Sequence, residues 1–198
     1  MITRIIVVVA LCTLAVASAA AGEFSKVNGS VAVEAGRKVD DNVSTVNGSV
    51  SIGDGAAVDE ASTVNGSIRL GPHASARELS AVNGRLTLDQ DSTVSGKVSN
   101  VNGNIGIAGA HVSGNIETYN GDIVVGTNSR IDGDIIVRKS SSNWFSWHGK
   151  APRIVIGPGA VVKGTMRFER EVELFVSEKA TIGAVVGATP KKFAGDAP

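Results

Sequence analysis

The chain repeats one arrangement of apolar and polar residues at intervals of 18 or 19 positions. Each copy opens with Val-Asn-Gly or Tyr-Asn-Gly, and the six copies begin at Val27, Val46, Val64, Val82, Val101 and Tyr119. With this first residue numbered as position 0, apolar residues recur at positions 4 and 6 and close to position 12, with polar residues between them. A spacing of two is typical of strands that bury one face. The pattern therefore predicts strands with positions 0, 4, 6 and 12 in the core.

A repeat of this length cannot bury its own apolar face, so successive repeats must stack on one another. The predicted fold is all-β: a single-stranded, three-sided parallel β-helix, or β-solenoid. Its coils hold about 18 residues and stack about 4.8 Å apart. The usual preference for right-handed crossovers favours a right-handed coil over a left-handed one, although the same pattern occurs in left-handed β-helices.

The Asn-Gly pair of each copy is a turn signal, because both residues tolerate positive φ better than other residues do. In a stacked solenoid these corners superimpose, and side-chain amides can both donate and accept hydrogen bonds. We therefore expect a structural corner ladder made of Asn28, Asn47, Asn65, Asn83, Asn102 and Asn120. The first three asparagines also lie in N-G-S sequons for glycosylation. The last three keep Asn-Gly without the serine, so the motif follows the corner rather than the sequon.

The repeat is interrupted once, after a seventh coil that we expect to begin at Val137. Ile154 and Ile156 fit positions 4 and 6 of that coil, but 17 positions separate Val137 from Ile154 instead of 4, which leaves 13 inserted residues. The insertion, residues 138–153, carries the possible partner-binding residues Trp144, Phe145, Trp147 and His148. Their rings either pack on the solenoid and hold the loop down, or recognise a partner.

After the insertion the repeat resumes, and Phe168, Val172 and Leu174 fit positions 0, 4 and 6 of an eighth coil. Val186 opens a last partial coil. The predicted β-solenoid domain thus covers residues 22–188. The C-terminal tail, residues 189–198, shows no pattern, and Phe193 either caps the open end or belongs to a disordered tail.

Residues 1–21 form a predicted signal peptide, with one basic residue, an apolar run and small residues before the cleavage site. The apolar run is shorter than the roughly 18 residues of a membrane span, so no stable transmembrane anchor is expected after cleavage. Export places the protein in the periplasm or outside the cell. The mature chain would carry 18 basic and 19 acidic residues, which argues against nucleic acid as a partner. The single cysteine, Cys12, lies in the signal peptide.

Candidate catalytic groups do not converge in the repeat. His73 and His111 fall two coils apart, or about 10 Å, which is too far for a shared metal ion. His148 lies in the insertion, away from both. The carboxylates are scattered rather than clustered in a groove, as a polysaccharide-cleaving site would require. The sequence therefore predicts no catalytic residues, no metal site and no cofactor.

The Val/Ile-rich coil and the stretch IVIGPGAVVKGTM resemble bactofilins, which are polymer-forming bacterial β-helix proteins. The serial VNGSV-type repeats are similar to bacterial putative-adhesin β-strand-repeat domains. Bactofilins are cytoplasmic or membrane-attached, so the signal peptide departs from that pattern. These resemblances imply a non-enzymatic, exported structural or surface-interaction protein, either adhesin-like or polymer-forming. The implied partners are the chain itself, end-to-end or laterally, or a cell-envelope glycan or protein. The alternative is a polysaccharide-binding or polysaccharide-modifying β-helix protein, and a hexapeptide-type acyltransferase is a further possibility, against which the sparse, unclustered histidines argue.

Overall fold

A computed structural model describes residues 24–139 and 150–198. The predicted signal peptide, residues 1–21, and the aromatic residues Trp144, Phe145, Trp147 and His148 lie outside these ranges. All regular structure in the described part of the chain is β-strand. In chain order the strands are β1 (Ser25–Asn28), β2 (Val31–Val33), β3 (Lys38–Val39), β4 (Val43–Asn47), β5 (Val50–Ile52), β6 (Ala57–Asn65), β7 (Ile68–Leu70), β8 (Ser75–Asn83), β9 (Leu86–Leu88), β10 (Thr93–Val94), β11 (Val98–Asn102), β12 (Ile105–Ile107), β13 (His111–Val112), β14 (Ile116–Asn120), β15 (Ile123–Val125), β16 (Arg130–Ile131), β17 (Ile135–Val137), β18 (Arg153–Ile156), β19 (Val161–Val162), β20 (Met166–Phe168), β21 (Glu173–Ser177), β22 (Thr181–Ile182), β23 (Val185–Val186) and β24 (Lys191–Phe193).

These strands wind into a parallel β-solenoid of about eight turns, which confirms the predicted fold class. One side, which we call the middle face, is a nine-stranded sheet in the order β2-β5-β7-β9-β12-β15-β18-β21-β24. A 15-stranded sheet forms the other two sides. They join because β6 and β8 run straight through one corner instead of breaking there. We call the side that contains β11 and β14 the asparagine face, and the side that contains β10 and β13 the short face.

The core is a set of aligned columns of side chains, one from each coil. Positions 4, 6 and 12 point inward as predicted, and Ile68, Leu70 and Val94 are examples that are almost fully buried. Small residues such as Ala74 and Ala110 are buried at the corner before position 12. Most core columns hold β-branched or leucine side chains, which pack well on a pleated surface.

Position 0 is the exception, because the prediction that it lies in the core is wrong. Val27 is 52% exposed, and Val64 is only half-buried on the outer side of the asparagine face. The inward residue is the one just before it, for example Thr45 or Thr63, both of which are buried. Strand alternation then places the residue two positions earlier, such as Ala61, in the core as well.

The strand register also corrects the size of the insertion. Val137 pairs with Thr118, so Val137 is equivalent to the inward residue before position 0, and Arg138 stands at position 0. Ile154 pairs with Ile123 and is at position 4, as predicted. Sixteen positions separate Arg138 from Ile154 where other coils have 4, so the insertion has 12 residues rather than 13.

The coil after the insertion is displaced from its predicted register. Leu174 pairs with Ile154 and is therefore at position 4, not position 6. Val172, predicted at position 4, lies before β21 as a partly buried residue packed against the core. The corner between β20 and β21 is longer than in other coils, and this extra length accounts for the shift.

The C-terminal tail contains a strand that the sequence pattern does not predict. Residues Lys191–Phe193 form β24, which pairs in parallel with β21 and completes the middle face. Phe193 pairs with Ser177 and is partly buried. Beyond it, the main-chain oxygen of Pro198 accepts a hydrogen bond from the Arg153 guanidinium at 3.1 Å. The tail therefore returns along the outside of the middle face.

Candidate interaction surfaces

The six predicted corner asparagines form one continuous ladder of side-chain hydrogen bonds. In each rung the side-chain Nδ2 of one asparagine donates to Oδ1 of the asparagine one coil earlier. Asn47 donates to Asn28 at 3.0 Å, and Asn120 donates to Asn102 at 3.1 Å. The three rungs between them are 3.0 Å long. All five bonds run in the same direction along the solenoid axis.

From the second copy onward, the glycine after each asparagine is required by a second column of contacts. Gly66 Cα lies so close to the carbonyl oxygen of Gly48 that a Cβ at Gly66 would overlap that oxygen. The same overlap would occur at Gly48, Gly103 and Gly121 with the glycine of the coil before. The Asn-Gly pair is therefore retained for two separate reasons: the amide makes the ladder, and the bare Cα lets the corners stack.

In three coils the buried residue before position 0 completes the motif by donating to a glycine carbonyl, whereas Thr118 Oγ1, at the same place, has no partner among the described residues. Thr45 Oγ1 donates to Gly29 O at 2.9 Å, and Thr63 Oγ1 donates to Gly48 O at 2.9 Å. Asn100 takes the same place in a later coil, where its Nδ2 donates to Gly84 O at 2.8 Å. This column explains why a polar threonine precedes the exposed valine in the T-V-N-G sequence.

Ala81 interrupts this column, and we expect Ala81→Thr to stabilise the protein by about 1 kcal/mol, the usual net value of one added hydrogen bond. Ala81 is buried and pairs with Thr63 and Asn100, which carry larger polar side chains at the same place in the neighbouring coils. Urea unfolding measures the gain. Ala81→Val adds a side chain of the same shape without the hydroxyl, and an equal gain in that variant would contradict the hydrogen-bond explanation.

Arg170 ends the asparagine ladder on the side of the insertion. The seventh coil has Arg138 and Lys139 where other coils have position 0 and asparagine. The free Oδ1 of Asn120 instead accepts a hydrogen bond from Arg170 Nη1 at 2.5 Å, and Tyr119 O accepts one at 3.2 Å. A guanidinium from 50 residues later in the chain thus replaces the missing asparagine.

The two ends of the insertion are each fixed to the solenoid. At the first end, Arg138 pairs with Glu117 at 3.0 Å and with Glu169 at 3.2 Å. At the second end, the Arg153 backbone N–H donates to Asp122 Oδ1 at 2.8 Å. Partial burial raises the pKa of the Glu117 carboxyl, but hydrogen bonds from Lys97 and Arg138 outweigh it, so that pKa lies below its usual value. The predicted partner-binding residues themselves lie outside the described residues.

The outer side of the asparagine face is uncharged along five coils. One column consists of half-exposed serines and the other of the position-0 valines. Neighbouring serines contact each other, as in Ser25 Oγ to Ser44 Oγ at 3.1 Å. The columns are Ser25, Ser44, Ser62, Ser80 and Ser99, and Val27, Val46, Val64, Val82 and Val101.

The middle face carries an apolar strip on its outer side near the insertion. Val124, Val155 and Phe175 occupy this strip in successive coils. The Arg153 guanidinium lies 4.8 Å from the centre of the Phe175 ring, and Lys191 Nζ lies 5.4 Å from it. Residues 196–198, together with Val124 and Val155 of this strip, line a shallow pocket of about 220 Å³.

The two described histidines lie on different parts of the solenoid and contact different aspartates, His73 contacting Asp91 at 3.9 Å as well as Asp54. His73 is at a corner with φ of 53°, and its Nδ1 lies 3.0 Å from Asp54 Oδ1. His111 is on the short face, where its Nε2 lies 2.7 Å from Asp132 Oδ2. His148 lies outside the described residues. Within residues 24–139 and 150–198, no group of three or more His, Cys, Asp or Glu side chains is arranged to hold a metal ion.

Asp132 is the centre of an ion cluster on the short face. Besides His111, its carboxylate contacts Lys163 Nζ and Arg130 Nη2, each at 3.1 Å. The hydrogen bond from His111, followed by that from Lys163, lowers the pKa of Asp132 from 3.8 to about 2. The cluster therefore keeps this carboxylate ionised under conditions that protonate ordinary aspartates.

We expect the cluster to make stability depend on pH in the acid range. Because the folded pKa of Asp132 lies below its unfolded value, the stabilisation is complete above about pH 4 and is lost as the pH falls towards 2. Urea midpoints of the wild type and of Asp132→Asn should differ most at pH 5 and converge by pH 2. A difference that stays constant over this range would contradict the assignment.

Both ends of the solenoid carry a lysine at an inward position. Lys26 pairs with the buried Thr45 in the first coil, and Lys192 pairs with the buried Val176 in the last strand. The described residues place no further coil beside them, both side chains are exposed, and Lys26 Nζ donates to Ser30 O at 3.1 Å. Phe24 packs against the first coil, with the Arg37 guanidinium 4.8 Å from its ring centre.

The described part of the chain contains no helix with the length and hydropathy needed to cross a membrane. Comparison of the sequence with protein-family models and with curated proteins, and of the fold with solved structures, returns no match.

Proposed function

We propose that the chain is an exported, non-enzymatic surface-interaction module whose rigid β-solenoid contacts its partners through its sides. The observation that carries this proposal is the lysine at an inward position at each end, Lys26 and Lys192. Since these lysines disfavour end-to-end self-association, the proposed partner is a cell-envelope glycan or protein, in the periplasm or outside the cell.

The lysines distinguish side-on contact from end-to-end polymerisation. β1 to β3 and β22 to β24 each pair on one side only within the described residues, so their free edges would otherwise be templates for a second copy. Stacking two copies end to end would bury Lys26 and Lys192 in the same junction without a carboxylate partner among their inward neighbours. An unpaired buried charge costs several kcal/mol, so the free ends oppose polymerisation.

The insertion between Arg138 and Arg153 is the proposed contact. Its described ends are fixed by the Arg138 ion pairs and by the Arg153 bond to Asp122. Fixed ends reduce the conformational entropy that a loop loses when it binds. Tryptophan is among the residues that most often anchor interfaces. We therefore propose Trp144 and Trp147, which the sequence predicts as partner-binding residues, as the anchors of this contact.

Binding of the labelled mature protein to purified cell envelopes tests the proposal. We expect Trp144→Ala and Trp147→Ala each to weaken binding at least about tenfold, as loss of an aromatic anchor does. Val64→Ala, a change on the outer side of the asparagine face, is the matched control and should bind like the wild type. Unchanged binding in both tryptophan variants would remove the insertion from the proposal. Wild-type filaments in electron micrographs would contradict side-on contact.

The competing hypothesis is a polysaccharide-modifying enzyme, for which a turnover screen on glycans is the direct test. His73→Ala, His111→Ala and His148→Ala would each be compared with the wild type. His73 and His111 pair with different aspartates on different parts of the solenoid, which supports separate surface roles. A turnover activity lost in any of these variants would overturn the non-enzymatic proposal.

A further inference from the structure

Each of the six Asn-Gly pairs can in principle undergo spontaneous deamidation. The backbone nitrogen of glycine can attack the side-chain Cγ of the preceding asparagine, forming a C–N bond and expelling the side-chain nitrogen as ammonia. Water then opens the resulting succinimide to aspartate or isoaspartate. No oxidant or further reactant is needed. Glycine favours the reaction because no Cβ hinders the attacking nitrogen.

Five of the six pairs are held against this reaction by the next coil. In these pairs the glycine N–H, which must give up its proton to attack, donates to the main-chain oxygen of the next asparagine. Gly29 N lies 2.9 Å from Asn47 O, and Gly103 N lies 3.0 Å from Asn120 O. Gly48, Gly66 and Gly84 make the same bond at 2.9–3.0 Å.

The sixth pair, Asn120-Gly121, lacks this bond. The next coil departs into the insertion after Lys139, and no main-chain oxygen of the described residues accepts a hydrogen bond from Gly121 N–H. Asn120 still donates to Asn102 below it, but on the other side only Arg170 holds its amide. Among the described residues, a neighbouring coil therefore clamps this corner on one side alone.

The product would keep one partner of Asn120 and lose the other: the bond with Arg170 remains, but the Nδ2 that donates to Asn102 Oδ1 is replaced by an oxygen. In an aspartate at this position, a carboxylate oxygen would take the place of Asn120 Oδ1 and accept the hydrogen bond from Arg170 Nη1. A charge-assisted pair with Arg170 would replace a neutral acceptor, and such pairs are stronger than neutral hydrogen bonds. Isoaspartate would in addition lengthen the main chain by one carbon at the end of β14, beside the first end of the insertion.

We propose that Asn120-Gly121 is a site of spontaneous self-modification, which converts Asn120 to aspartate or isoaspartate in the folded protein while the other five pairs persist. The new carboxylate next to Arg170 adds one negative charge near the first end of the insertion. The fraction of molecules that carry this charge increases with time. The proposal is independent of whether the insertion binds a partner.

Peptide mapping by mass spectrometry on the wild-type mature protein tests this inference, and the five other pairs serve as internal controls. Folded protein would be incubated at mildly alkaline pH, sampled over weeks, and scored for aspartate and isoaspartate at each site. We expect Asn120 to convert about tenfold faster than the other asparagines, because a corner whose glycine N–H is hydrogen-bonded must open before it can react. In urea all six sites should convert at similar rates.

Equal rates at all six sites in the folded protein would overturn the inference, and so would a faster reaction at Asn28, the other end of the ladder. If Asn120 remained faster than the rest in urea, its local sequence rather than the missing clamp would be the cause, and the structural explanation would fail.

Discussion

Replacing Gly66 with alanine is expected to lower the free energy of unfolding by about 3 kcal/mol or more, the upper end of the range for overpacking substitutions. The added Cβ would overlap the carbonyl oxygen of Gly48 in the preceding coil. It would also lie 3.2 Å from the backbone nitrogen of Ser49. Gly66 cannot move away easily, because its N–H donates to Asn83 O at 3.0 Å. Urea unfolding followed by circular dichroism measures the loss.

Two glycines in other settings are matched controls for Gly66→Ala. Gly106 is outward-facing in β12, and the nearest atom to its Cβ position is 4.0 Å away, so Gly106→Ala should be neutral or slightly stabilising. Gly55 has φ of +64° and open space around it, so Gly55→Ala should cost only about 1–2 kcal/mol of backbone strain. If Gly66→Ala cost no more than Gly55→Ala, the close stacking of the corners would not be the reason for glycine.

Removing the charge at both ends is expected to produce end-to-end oligomers. In the double variant Lys26→Thr, Lys192→Val, each lysine is replaced by the residue with which it pairs in the neighbouring coil, Thr45 or Val176. The inward positions at both ends would then be uncharged, as they are in the neighbouring coils, and the strand edges beside them would be free to pair. Sedimentation velocity should show concentration-dependent assembly, and electron microscopy should show rods longer than the wild type.

The assembly can be traced to the strand edge with one further change. Val31 N donates to Ser49 O and Val33 O accepts from Gly53 N, so the alternate residue Ala32 directs its N–H away from β5, towards the free edge. Adding Ala32→Pro to the double variant removes that donor and should suppress assembly. A double variant that stays monomeric at the highest concentration would show that the lysines are not what closes the ends.

The repeat made the fold predictable because its even spacing and period leave few other arrangements. Positions 4, 6 and 12 were predictable since their residues are apolar in nearly every copy. Position 0 was not, because valine is favoured in strands on either face. The true inward residue, such as Thr45, is polar, and its hydroxyl is tolerated inside only because it donates to Gly29 O. Hydrophobicity alone gives no sign of that bond.

The surfaces were predictable only where they follow the repeat. The asparagine ladder could be expected because its members recur at one position of each coil. Arg170 could not be, since it reaches Asn120 from 50 residues away and lies in a corner whose length departs from the period. The lysines at the ends are equally hidden in the sequence: Lys26 and Lys192 look like ordinary surface residues until the register places them in core columns.

The glycine column has a consequence for how the length of this protein can change in evolution. Because the Asn-Gly corners stack on the glycine carbonyls of the coil before, part of a repeat can be gained only where the paired strands stay in register, as with the insertion between Arg138 and Ile154. A whole repeat, such as the 18 residues from Asn65 to the residue before Asn83, can be duplicated or deleted with its neighbours still matched. The length of the solenoid can therefore change in steps of whole coils, each of which adds about 4.8 Å.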